Sequence, residues 1–200
     1  MLIRGLWVWP VVVGMVLRSM GSAGADSQDL NRLLHGDYAE VGTGGCLYSP
    51  LGFNDNLTPR GSSFVNSFNA QGIRTFNGDG TGTVRIRNNV SVAFSFVPFG
   101  TPGASATDTT APFTYSVAPD GSFSMVTGPL TGTILTGSRA GQTITISPIS
   151  EAGLIAKDNQ SLTYASDTTQ VKIITFSNGD SFPRICQRSR VLLRLRSEDD

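Results

Sequence analysis

One histidine, two cysteines and a C-terminal series of arginines bound the chemistry open to this chain. With His35 as the only imidazole, histidine-rich metal sites are excluded, and any Ser-His-Asp arrangement would have to use this one ring. Asp37 lies two positions on and would share a strand face with His35. Such a neighbour at a strand edge is ordinary, so His35 reads as structural. The acidic residues are scattered with no D-x-D-x-D-G series, which excludes an EF-hand calcium loop. Gly78-Asp79-Gly80-Thr81-Gly82 has the glycines of a phosphate loop, but a strand pattern follows it instead of the helix that would hold the phosphate. These residues give no catalytic site, no metal site and no cofactor.

Cys46 and Cys186 are the only cysteines. An even count in an exported chain points to one disulfide, here joining the first strand to the last. A catalytic thiol would need a basic group to lower its pKa, and no second histidine is available. Closing so long a loop contributes ~4–5 kcal/mol in the chain-entropy account.

The arginines carry the strongest pattern. Arg184, Arg188, Arg190, Arg194 and Arg196 all fall on even positions, with Ile185, Val191, Leu193 and Leu195 on odd ones. As a strand this segment has one basic face. The expectation is a solvated outer face that protects a sheet edge, with a polyanion-binding surface as the alternative. Arg85 and Arg87 form a second basic pair.

The elements that position these residues begin after a leader. Arg4 precedes an apolar run from Leu6 to Leu17 and a small-residue stretch ending Ala23-Gly24-Ala25, the pattern of a cleaved signal peptide over 1–25. The run is too short for the ~20 residues a membrane span needs, so no transmembrane helix is expected. Residues 26–200 then form a single domain with a charged C-terminal end, secreted or periplasmic. Basic and acidic residues balance at 15 each. The leader removes Arg4 and Arg18 but no acid, so nothing favours a nucleic-acid partner. Both tryptophans leave with the leader, and the core must rest on the eleven phenylalanines and the β-branched residues.

Gln28 to Leu34 predicts a short N-terminal helix. Beyond it, Thr-, Ser-, Val- and Phe-rich runs are punctuated by glycine turns, which is the pattern of an antiparallel β protein. Side-chain parity sets the hairpins. Asp79-Gly80 as a two-residue turn pairs Ile73 with Ile86 and Arg74 with Arg85. Pro119-Asp120-Gly121 as a three-residue loop pairs Val117 with Phe123 and Tyr115 with Met125. Ser138 to Gly141 as a four-residue loop pairs Leu135 with Ile144, and Asn178-Gly179-Asp180 pairs Phe176 with Phe182. Gly82 to Val97 reads as one long strand with Phe94 and Phe96 on its inner face, bent or bulged at Asn88-Asn89. Such a strand is ~53 Å long and must coil. Ser49 to Ser62 and Phe99 to Pro112 read as loops. Together these elements predict an all-β fold, a single antiparallel up-and-down β-barrel of about eight strands. The chain ends without an aromatic residue and its arginines suit no lipid face, which argues against an outer-membrane barrel.

Leu34, Gly36, Tyr38 and Ala39 make L-x-G-x-Y-A after a short helical stretch, which resembles the start of lipocalin-like chains. There a Gly-x-Trp closes the narrow end of an eight-stranded barrel and a basic residue of the last strand packs on the Trp. Here Tyr38 stands in the Trp position, and Arg184 or Arg188 would supply the base. With Phe76 and Asp79-Gly80-Thr81-Gly82, the pattern also resembles exported bacterial β proteins that carry no assigned activity. Allene-oxide-cyclase-like barrels are similar in shape. The resemblance implies a ligand-binding barrel, and parity nominates Phe94, Phe96, Tyr115 and Met125 as its lining. The expected function is non-catalytic binding of a small apolar or amphipathic ligand. The alternative is an interaction module that meets a protein or an anionic envelope polymer through its long loops or its arginine-rich last strand.

Overall fold

The computed structural model describes residues 30–94 and 103–196, the side chains of 88–94 excepted. The expected leader over 1–25, the start of the expected N-terminal helix and Phe96 lie outside the described residues. Of the helical stretch, a 3-10 turn at Asn31–Leu33 is seen. Strands follow as β1 (His35–Tyr48), β2 (Phe64–Asn77), β3 (Thr81–Phe94), β4 (Gly103–Val117), β5 (Ser122–Thr127), β6 (Leu130–Ile134), β7 (Thr143–Ile146), β8 (Ile149–Ile155), β9 (Ser161–Ser166), β10 (Val171–Phe176) and β11 (Ser181–Arg194).

All pair antiparallel in one sheet, and β1 pairs with β11, so the sheet closes into a ring of eight strands. The strand order looks irregular only because three of the eight legs are broken. β5 and β6 run one after the other along β4, β7 and β8 along β6 and β5, and β9 and β10 along β11. The breaks fall at Gly128-Pro129, at Ser147-Pro148 and over residues 167–170. Proline has no N–H to give the ladder, which favours a break at the first two, although Pro112 and Pro183 are held within β4 and β11. With each broken leg taken whole, neighbours around the ring follow chain order.

Turn chemistry fixes the register. The loop at 119–121 is as expected, with Tyr115 opposite Met125 and Val117 opposite Phe123. The β2–β3 turn is not. It takes three residues, because Gly78 and Gly80 both adopt positive φ and Asp79 accepts from Thr81 N–H at 2.9 Å. Ile73 therefore faces Arg85 and Arg74 faces Val84. One residue of register inverts every side chain: Arg74 is buried and Ile73 exposed. Leu135 is likewise turned out, with Gly132 opposite Ile144, and Phe182 pairs with Ile174 while keeping an edge contact with Phe176.

β3 is one continuous strand, and its pairing with β4 slips by a residue between Ile86 and Asn89, at the expected bulge. Residues 49–62 form a loop with an isolated bridge between Phe53 and Pro59. The second expected loop is corrected, since residues 103–112 belong to β4. Their Gly, Ala, Asp and Pro residues are weak strand signals that mask the favourable threonines, yet the backbone ladder does not depend on those side chains. Cys46 and Cys186 are bonded across directly paired positions of β1 and β11.

The ring has a solid base and a looser rim. At the base, Phe76 makes edge contacts with Tyr38, Phe113 and Tyr115 at 5.0–5.2 Å, and each such buried ring contributes roughly 1.5–3 kcal/mol. The Tyr115 hydroxyl accepts from Gly78 N–H and lies 3.0 and 2.9 Å from the carbonyls of Asn31 and Leu34, which anchors the 3-10 turn as a plug. Higher up, β1 needs glycine. A Cβ on Gly42 would lie 2.1 Å from the Ser189 carbonyl and 2.6 Å from Arg190 Cδ, whereas one on Gly45 would meet only Asn66 O at 3.4 Å. Gly42→Ala should therefore lower stability in urea denaturation by about 1–3 kcal/mol, while Gly45→Ala should change it by less than about 0.5 kcal/mol. Equal losses would mean that the strand coil at Gly42 is not the constraint.

Candidate functional site

The inner positions of β11 reverse the expected sidedness of the last strand. Arg184 and Arg190 are buried, Arg188 is half-buried and Leu192 is fully buried, while Val191, Leu193 and Leu195 are exposed. The basic face looks into the ring. Only Arg194 and Arg196 of the series remain exposed.

Glu40 on β1 is the centre of the charged layer. Its Oε2 accepts from Arg74 Nε at 2.9 Å and its Oε1 from Arg190 Nε at 3.1 Å. Arg74 then crosses the ring. Nη2 donates to the Tyr164 hydroxyl at 2.9 Å, Nη1 reaches Met125 Sδ at 3.0 Å and Thr127 Oγ1 at 3.4 Å, and the guanidinium lies 4.8 Å from the centre of the Phe113 ring. Nearer the rim, Arg184 donates to the Tyr48 hydroxyl at 2.8 Å, and its buried Nε has no partner among the described residues.

Burial and charge set the protonation of this layer. Burial alone would raise Glu40, but Arg74 and Arg190 outweigh it and hold the carboxyl below its ordinary value. Burial pushes Glu151 up from 4.5 in spite of Arg74 and Arg188, and it keeps the Tyr164 phenol protonated. Burial, then repulsion from Arg184, pushes Arg188 down to about 10, so it remains charged at neutral pH.

Above this layer lies a cavity of about 150 Å³. Ile134, Ile144, Ile146 and Ile174 from β6, β7 and β10 line it on one part, and Arg184, Arg188 and Arg190 of β11 line another. Thr127, Leu130, Ile146 and Ile149, which flank the two proline breaks, also border it. Half-buried Phe68, Ser105, Phe176 and Arg188 mark where it approaches the surface. Chemically the space offers cationic donors, apolar walls and two weak acids, Glu151 and Tyr164, that can hold a proton.

No protein-family model, curated protein or solved structure matches the chain.

Of the residues nominated from parity, Tyr115 and Met125 are buried in the packed core, Tyr115 as part of the plug and Met125 against Arg74. Phe94 pairs by register with exposed Val65, and Phe96 lies outside the described residues. Arg184 stacks near Tyr48 and not Tyr38, while Arg194 is the residue paired with Tyr38. His35 is exposed at the start of β1, and Asp37 accepts from Thr75 at 2.5 Å. Glu40, Arg74, Glu151 and Tyr164 were not nominated. The even spacing of the last-strand arginines is the available signal for the site, but Arg184, Arg188 and Arg190 face the inside of the ring and not the expected outer face. Among the described residues, no group of three or more His, Cys, Asp or Glu is placed to hold a metal.

Glu40→Gln leaves two buried guanidiniums uncompensated and should cost about 3–5 kcal/mol in chemical denaturation. Asp108→Asn removes the partner of the largely exposed Arg85, 2.7 Å away, and should cost less than about 1 kcal/mol. Similar losses would remove Glu40 from its central place. Glu151, whose folded value is raised, adds stability that is full below 4.5 and is lost as pH rises through that raised value. Glu151→Gln should therefore match the wild type in melting temperature below about pH 4.5 and exceed it increasingly toward neutral pH. A wild type that gains on the variant as pH rises would show that Glu151 is stabilised as a carboxylate.

Proposed function

We propose that this is an exported, non-catalytic binding protein whose barrel-shaped ring holds one small amphipathic molecule. The cavity at the level of the strand breaks carries the reading, because it combines isoleucines on three strands with guanidinium groups on another. Neither feature stabilises the fold. A void forfeits packing contacts, and buried guanidiniums are costly to desolvate. Both are what a site for an amphipathic molecule requires. A cavity near 150 Å³ is the size that accepts a benzene molecule, so the ligand is a single ring or a short chain.

The disulfide and the leader pattern of 1–25 support export. Among the described residues, no helix is long and apolar enough to cross a membrane. Outer positions of the ring carry Asn69, Gln71, Arg85 and Arg87, all exposed, which disfavours a lipid-facing wall. Polyanion binding along the last strand loses its basis, since Arg184, Arg188 and Arg190 line the interior.

Native mass spectrometry of the protein purified from its own host should show a retained small molecule. Adding that molecule at a hundred times its Kd should raise stability by about 2.7 kcal/mol. A clean unliganded mass, together with no response to small amphiphiles, overturns the reading.

A further inference from the structure

Resting on that reading, we propose that the molecule held in the ring is a small organic carboxylate. Its head group is received by the Arg184 and Arg188 guanidiniums, and its apolar part by the isoleucines of β6, β7 and β10.

Charge selects an anion. Four guanidiniums, those of Arg74, Arg184, Arg188 and Arg190, line the cavity against two carboxyl groups, Glu40 and Glu151. Glu40 is consumed by Arg74 and Arg190, which hold one oxygen each. What remains is Arg184 and Arg188 against Glu151 alone. The Glu151 carboxyl makes no hydrogen bond among the described residues, and its burial favours the neutral acid. Arg188 makes no side-chain hydrogen bond among the described residues. Arg184 uses one nitrogen on Tyr48, and its buried Nε has no acceptor among the described residues. Two like charges therefore face one space with donors unspent. An anion between them satisfies those donors and cancels their repulsion, and charge-assisted bonds from guanidinium forks to a carboxylate are the strong kind.

Volume and wall chemistry select an organic anion over an inorganic one. A bare phosphate would leave the isoleucine side of the cavity empty or filled with poorly bonded water. A carboxylate carrying a ring or short chain covers both parts at once. The hydroxyls of Thr107 and Thr109 border the same cavity, buried with no partner among the described residues, and offer further donors.

The test uses the full mature chain at low ionic strength, with benzoate, benzyl alcohol and inorganic phosphate titrated by calorimetry and followed by NMR. Benzoate should bind roughly tenfold or more tightly than benzyl alcohol, and phosphate should not compete at similar concentration. Arg188→Gln should lower benzoate affinity far more than benzyl alcohol affinity and so remove that advantage, and Arg194→Gln, outside the cavity, should alter neither. If Arg188→Gln does not fold, the wild-type ratio of benzoate to benzyl alcohol decides alone. Equal affinity for the two overturns the carboxylate while keeping an amphipathic ligand. Phosphate binding as tightly as benzoate overturns the organic part. Binding of none of the three overturns both this inference and the function it rests on.

Discussion

A glutamate held between two arginines inside a closed sheet is the interaction on which the rest of this structure depends. Glu40 binds Arg74 of β2 and Arg190 of β11, the two strands that flank β1, and Arg74 continues to Tyr164 on β9. One buried carboxylate thus connects four of the eight legs. Such a layer is a poor source of net stability, because desolvating its charges offsets most of their attraction. Its effect is on register. A one-residue slip of β1, β2 or β11 would expel one member and leave the others buried and uncompensated, which costs far more than a slip between apolar positions. The same layer divides the interior, with the aromatic base on one side and the cavity on the other.

That division explains which features were legible in the sequence. Turn residues act locally, so the loop at Pro119-Asp120-Gly121 could be read together with its register. The same holds for the strand bulge near Asn88-Asn89, whereas the pairing of the two cysteines, 140 residues apart, follows from their even count and from closure of the first strand on the last. The sidedness of β2 and β11 was not legible, because alternation gives the two faces of a strand but not which of them is inside. The usual assignment puts the apolar face inward, and it holds at the base for Tyr38, Phe76 and Leu192. It fails higher up, where Arg74, Arg188 and Arg190 line the ring and Ile73 and Val191 look out. The Gly78-Asp79-Gly80 turn compounded the error, since two positive-φ glycines accommodate a three-residue loop where the Asp-Gly pair suggests two.

The cavity follows from the breaks. Gly128-Pro129 and Ser147-Pro148 interrupt neighbouring legs at matching heights, with Thr127 opposite Ile149 and Leu130 opposite Ile146. Each break leaves only short strands in this part of the wall, β6, β7 and β10, and their isoleucines border the cavity. Composition showed only two prolines in a Thr- and Ser-rich stretch. Their common height is a property of the pairing, and no reading of either hairpin alone contains it.

The disulfide closes the ring at the level of the cavity. On β11, Cys186 lies between Arg184 and Arg188, the two arginines of the cavity wall, and its partner Cys46 lies between Gly44 and Tyr48 on β1. Gly44 contributes no side chain, and a Cβ there would meet Phe68 at 2.4 Å. Apolar packing at this level comes from Phe68 over Gly44 and from Tyr48 stacked on Phe64, and the disulfide adds a direct link between the first strand and the last. A covalent link closes the ring without filling it, since a cystine occupies far less volume than the aromatic layer that does the same work at the base. Packing at one end and covalent closure at the other are two solutions to a single problem, and only the second leaves room inside.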